Sequence, residues 1–166
     1  DMVLNDKGNY QFNLLQIRPI ASKNDSISIP EDQVKEADTL IISKSALGNG
    51  IVDDICDIVY VRPQGFDPAN NEATVGMIAE VNDRFLAEQK NYILIGPGRW
   101  GSADPWLGIP VKWPQISAAR LIIESGLDNY RIDPSQGTHF FQNLTSFRVG
   151  YFTINPFIQD GFYNLE

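Results

Sequence analysis

Histidine and cysteine are nearly absent from this chain, which has one of each, His139 and Cys56. A zinc centre of Cys and His ligands needs about four such side chains, so that chemistry is excluded. A single cysteine precludes an internal disulfide, which fits a reducing, cytoplasmic setting. Cys56 lies in the apolar stretch Ile55-Cys56-Asp57-Ile58-Val59, which predicts a buried, inert thiol. No apolar run approaches the roughly 20 residues that span a bilayer. Neither a basic segment nor an apolar core opens the chain, so no signal peptide is expected. The GK[ST] ending of a P-loop is missing, as are the glycine spacing of a dinucleotide fold and the G-x-S-x-G elbow of a hydrolase. Cations are outnumbered: 13 Lys and Arg against 21 Asp and Glu give a net charge of -8. That balance argues against nucleic acid or an anionic membrane as a partner.

What is present fits one globular domain. Of 166 residues, 43% are hydrophobic and 20% charged, enough apolar material for a substantial core. Met2 to Leu4 and Tyr10 to Ile20 flank the turn-like Asp6-Lys7-Gly8-Asn9, which predicts a hairpin over residues 1–20. A hairpin is marginal alone, so this one is expected to belong to a larger, truncated domain. Residues 21–37 are polar and read as a linker, with a short strand at 26–29. From residue 38 to 166 the pattern alternates. Thr39 to Ser43, Asp57 to Val61, Tyr92 to Ile95, Ser117 to Ser125 and Val149 to Ile154 predict strands. Ser45 to Gly50 punctuates the first of these. Glu72 to Lys90 predicts a helix, with Val75, Ile78, Ala79, Phe85 and Leu86 inward, Thr74 as cap and Lys90 at the C-terminal end. Thr138 to Phe147 predicts a second helix, and Gly96 to Pro114 a long loop. Together these predict an α/β domain with a layered mixed sheet and flanking helices.

Three segments could carry chemistry. In Leu14-Leu15-Gln16-Ile17-Arg18-Pro19, alternation places Gln16 and Arg18 on one face of a strand. The pair suits a phosphate, since arginine offers a planar donor fork; a solvated edge face would look the same. In Gly96-Pro97-Gly98-Arg99-Trp100-Gly101-Ser102-Ala103-Asp104, glycines would let backbone N–H groups approach an anion, with Arg99, Ser102 and Asp104 lining the pocket. A purely structural loop, pinned by tryptophans and Arg99, is the competing reading. Trp100, Trp106 and Trp113 could instead anchor an interface. In Gly137-Thr138-His139, the histidine opens a helix, where unpaired N–H groups could hold a phosphate beside the imidazole. Neutral imidazole is a competent nucleophile, although a histidine there can equally order the turn. Asp53, Asp54 and Asp57 read as a solvated acidic face.

The string LLQIRPI is similar to the end of the ATP-grasp domain in the phosphoenolpyruvate synthase and pyruvate phosphate dikinase family. The string GPGRWGSADPWLGIPV closely resembles a segment in a bacterial subgroup of proteins of that type. Gly137-Thr138-His139 resembles the Thr-His core of the family's phosphohistidine swivelling domain, except that Phe140-Phe141 replace two small residues. Gly108-Ile109-Pro110 resembles a string that follows that histidine in the family, but here it lies upstream. The resemblance implies an ATP-dependent phosphotransferase, with ATP and Mg²⁺ as cofactors and pyruvate or a similar small acid as acceptor. It implies that Gln16 serves Mg²⁺ and phosphate, that Arg18 contacts nucleotide phosphates, and that His139 carries the phosphoryl group. It also implies that the rest of the ATP-grasp domain, with the acidic metal ligand, precedes residue 1, and that this chain alone is inactive. The alternative is a non-catalytic anion- or domain-binding module of a multidomain regulatory protein.

Overall fold

The computed structural model describes residues 2–4, 8, 10–12, 29–30, 34, 39–48, 50–63, 66–104, 106–126 and 139–164. Near the start, strands β1 (Met2–Leu4) and β2 (Tyr10–Phe12) pair antiparallel, with Met2 opposite Phe12, as the turn residues predict.

The body is mixed α/β, built on a five-stranded mixed sheet. Its parallel strands are β5 (Asp57–Tyr60), β6 (Tyr92–Pro97), β9 (Ala119–Ser125) and β10 (Gly150–Ile154), adjacent in that order. Strand β4 (Ser45–Leu47) closes the far edge, antiparallel to β10. Chain order and spatial order therefore advance in one direction across the parallel strands. Parallel crossovers are overwhelmingly right-handed, so such a sheet collects its connections on one face. The packing agrees. Helix α1 (Asn71–Ala87), a turn of 3-10 helix (Trp113–Ile116) and helix α2 (His139–Ser146) all contribute to one core with Tyr92, Leu94, Ile122 and Tyr151. Alternate strand residues, Ile95, Ile123 and Ile154, form a smaller core on the opposite face. Ile41 packs there from β3 (Ile41–Ile42), which pairs with β11 (Phe162–Tyr163).

Helix α1 shows why the face matters. Ile78 is buried, Val75, Ala79 and Phe85 partly so, and Leu86 is exposed, contrary to its predicted inward place. Asn82, one turn after Ile78, takes a core position. Its Oδ1 accepts from Tyr92 Oη at 3.1 Å and from Ala118 N–H at 2.9 Å, while its Nδ2 donates to Pro114 O at 3.2 Å. A buried amide with its donors and acceptor engaged is tolerated, and here it fastens α1 to two neighbouring segments.

Other expectations need correction. Thr74 does not cap α1: the 3-10 turn Pro68–Asn70 leads into the helix, with Asp67 Oδ1 accepting from Ala69 N–H at 2.9 Å. The helix ends at Ala87, and Lys90 lies beyond it, paired with Glu88 at 2.8 Å. Ser45 to Leu47 form a strand rather than a break, because Ser43 Oγ donates to Thr153 O at 2.7 Å and accepts from Ser45 N–H at 3.0 Å. That bridge reverses the chain onto the sheet edge. Cys56 is exposed, not buried. It shares parity with Ile58, whose side chain is also exposed, whereas Val59 turns to the main core. No described helix is long and apolar enough to cross a membrane.

Candidate functional site

The carboxyl ends of parallel strands are where open α/β sheets usually take ligands. At that edge, Gly96 lies in register with Glu124, and Pro97 and Ile154 both pair with Ser125. The predicted loop begins here, and it is more ordered than a loop. Strands β7 (Arg99–Trp100) and β8 (Gly108–Ile109) pair parallel within it. Arg99 N–H donates to Leu107 O and Gly101 N–H to Ile109 O, each at 2.8 Å.

The glycines of this segment serve close contacts within the chain. A Cβ on Gly96 would come within 2.4 Å of the Trp100 ring, and one on Gly101 within 2.6 Å of the Phe140 ring. On Gly98, at φ +76°, a Cβ would lie 2.5 Å from Gly108 Cα, and one on Gly108 would lie 2.0 Å from Arg99 O. The close backbone approach expected for an anion is made to the chain's own atoms. The contact of Gly101 with Phe140 also seats the loop against the first turn of α2, which His139 opens.

Glu124 anchors the arrangement. Its side chain is fully buried; Oε1 accepts from Trp100 N–H at 3.0 Å and Oε2 from Tyr151 Oη at 2.5 Å. Trp100 Nε1 donates to Ile123 O at 3.0 Å. One carboxylate thus joins β7, β9 and β10, and bonds to a charged acceptor are the stronger kind. Ser125, Thr153 and Asn155 are buried polar neighbours at the same edge. Glu124 belongs to none of the three motif segments. Its signal was parity: in the apolar run Leu121-Ile122-Ile123-Glu124, it shares the core-facing side with Ile122.

The sequence-predicted residues fare differently. Ser102 Oγ donates to Asp104 O at 3.0 Å and accepts from Asp104 N–H at 3.2 Å, while Asp104 Oδ1 accepts from Trp106 N–H at 3.0 Å. Both side chains stabilise their own turn. Arg99 is half-buried, and its Nε is closed off with no hydrogen-bond partner among the described residues. A buried donor left unmet costs about 1–3 kcal/mol. The three tryptophans do not form one patch: Trp100 is buried, Trp113 stacks on Phe147 with ring centroids 5.1 Å apart, and Trp106 is 73% exposed. Gln16, Arg18, Gly137 and Thr138 lie outside the described residues, as does most of the 21–37 linker. For His139 the backbone is described as the first residue of α2.

Among the described residues, no group of three or more His, Cys, Asp or Glu side chains could hold a metal ion. A groove of about 320 Å³ lies elsewhere, between β5 and α1, lined by Val59, Val61, Phe66, Thr74 and Met77. It includes none of the predicted site residues.

Comparison with protein-family models, curated proteins and solved structures finds no match.

Proposed function

We propose that this chain is the C-terminal region of an ATP-dependent phosphotransferase resembling phosphoenolpyruvate synthase and pyruvate phosphate dikinase. In this reading Gln16 and Arg18 belong to the nucleotide site of the longer protein, where arginine's fork grips phosphate oxygens. Mg²⁺, when bound, would neutralise phosphate charge, and the amide oxygen of Gln16 is a suitable hard ligand for it. His139 attacks a phosphorus of ATP through an imidazole nitrogen, forming an N–P bond as the P–O bond to the remaining nucleotide breaks and that nucleotide leaves. An oxygen of pyruvate or a similar small acid then takes the phosphoryl group as the N–P bond breaks and the imidazole is freed. The α/β domain then stands in the place of the family's swivelling domain.

The observation that carries the reading is the seat of Gly101 on Phe140. It sets the Arg99-bearing segment beside the helix turn that His139 begins, so the two motif resemblances meet at one edge of the sheet. The nucleotide half of the proposal is tested by ATP binding to the longer protein. Arg18→Ala is expected to weaken ATP at least about tenfold, the loss of a charge-assisted phosphate contact. Unchanged affinity would remove Arg18 from the site.

A second reading, a non-catalytic docking module, draws on Trp106, whose ring is exposed. Under it, Trp106→Ala would abolish association with a neighbouring domain while no histidine phosphorylation is found.

A further inference from the structure

We propose that Arg99 is an oxyanion receptor, taking a phosphate or carboxylate group at the carboxyl edge of the sheet. The inference deepens the phosphotransfer reading and rests on it only for the identity of the natural oxyanion.

Arginine presents five N–H donors in a rigid fork, is always charged, and has no acceptor of its own. The Arg99 side chain is half-buried, and no hydrogen bond or salt bridge engages it among the described residues. Among the described residues, the carboxylates of Glu124 and Asp104 are bonded elsewhere. Glu124 faces Trp100 N–H and Tyr151 Oη, and Asp104 Oδ1 faces Trp106 N–H. Its backbone is meanwhile held on several sides. Arg99 N–H is bonded to Leu107 O, Trp100 N–H to Glu124, and the Trp100 indole to Ile123 O. A half-buried cation with idle donors, carried on a backbone held in place, offers an anion its charge-assisted bonds without first having to break any of its own. Its place is also apt, two residues beyond the end of β6 and beside the buried polar row of Glu124, Ser125 and Thr153.

The test titrates the 166-residue chain with inorganic phosphate and, separately, with pyruvate, at constant ionic strength, reading the intrinsic tryptophan fluorescence of a Trp106→Phe, Trp113→Phe background in which Trp100 alone reports. Saturable binding is expected for at least one of them, weakened at least about tenfold in Arg99→Gln. Arg99→Lys should keep part of the affinity, since the charge remains and the fork is lost. Saturation by phosphate alone assigns a phosphoryl group; saturation by pyruvate alone assigns a carboxylate. Circular dichroism verifies that the variants fold. If Arg99→Gln does not, protection of Arg99 from phenylglyoxal in the wild-type chain, mapped by mass spectrometry, replaces it. No saturation by either ion, equal binding by folded Arg99→Gln, or no protection would each overturn the proposal. A chain that binds oxyanion through Arg99 while His139 is never phosphorylated would sink the phosphotransfer reading and leave this one standing.

Discussion

Trp100 gives its backbone N–H to Glu124 Oε1 at 3.0 Å, and that bond fixes the segment after β6 to the neighbouring strand β9. Because Tyr151 Oη donates to the other oxygen at 2.5 Å, the same carboxylate reaches β10. In Glu124→Gln the amide oxygen can still accept from Trp100 N–H, but Tyr151 Oη must then accept from the new NH2 group, and both bonds lose their charged acceptor. Glu124→Gln is therefore expected to lose about 1–3 kcal/mol. Urea unfolding of Glu124→Gln, Tyr151→Phe and the double variant checks this. The two single losses should exceed their combined effect, because they break one shared network. Strict additivity would show that the carboxylate does not couple the strands.

Gly108 has no room for a side chain. With a Cβ only 2.0 Å from Arg99 O, Gly108→Ala must separate β8 from β7. Its cost should exceed about 3 kcal/mol, beyond ordinary overpacking, because the obstacle is backbone rather than a mobile side chain. Gly76→Ala, in open space on α1, is the matched control and should stabilise by up to about 1 kcal/mol. Thermal unfolding of the two variants measures the contrast. Similar midpoints would contradict the packing described for β7 and β8.

Alkaline pH offers a separate handle. Burial raises the Tyr92 phenol well above its ordinary value near 10. The fold thus favours the protonated phenol more than the unfolded chain does. That stabilisation is complete below about pH 10 and declines as pH rises toward the folded value, since the unfolded chain releases its proton first. Tyr92 should ionise only as the chain unfolds, which tyrosinate absorbance, compared with that of Tyr92→Phe, will register. Tyr92→Phe should flatten the fall in stability above pH 10 and, by losing the bond to Asn82, cost about 0.5–1.5 kcal/mol at neutral pH. A phenol at position 92 that titrates normally in the folded chain would refute the assignment.

Much of the sheet was legible because its central strands are buried on both faces. Such strands read as continuous apolar runs, and Tyr92-Ile93-Leu94-Ile95 and Leu121-Ile122-Ile123 do so. Helix α1 was legible from its 3.6-residue spacing. Strands β7 and β8 were not, because each has two residues and they pair around glycines, with too few side chains to show a period. Strand β4 was hidden for a similar reason: Ser45-Ala46-Leu47 owes its place to the Ser43 hydroxyl bridge. In the 96–108 segment the glycine cluster is explained within the chain itself, by its close approaches to Trp100, Gly108 and Phe140, which residue type alone does not reveal. Arg99 is legible by residue type, whereas its unpartnered Nε is visible only in the fold. Ser102 and Asp104, chosen on the same grounds, serve their own turn.

The central proposal is that His139 carries a phosphoryl group. Its most direct test is incubation of the longer protein with Mg²⁺ and ATP labelled in both transferable phosphoryl groups, followed by peptide mapping under alkaline conditions that preserve phosphohistidine. The account predicts acid-labile label on the peptide containing His139, discharged by pyruvate or a related acid and absent from His139→Ala. Label of equal yield in His139→Ala, or none in the wild-type protein, would contradict it.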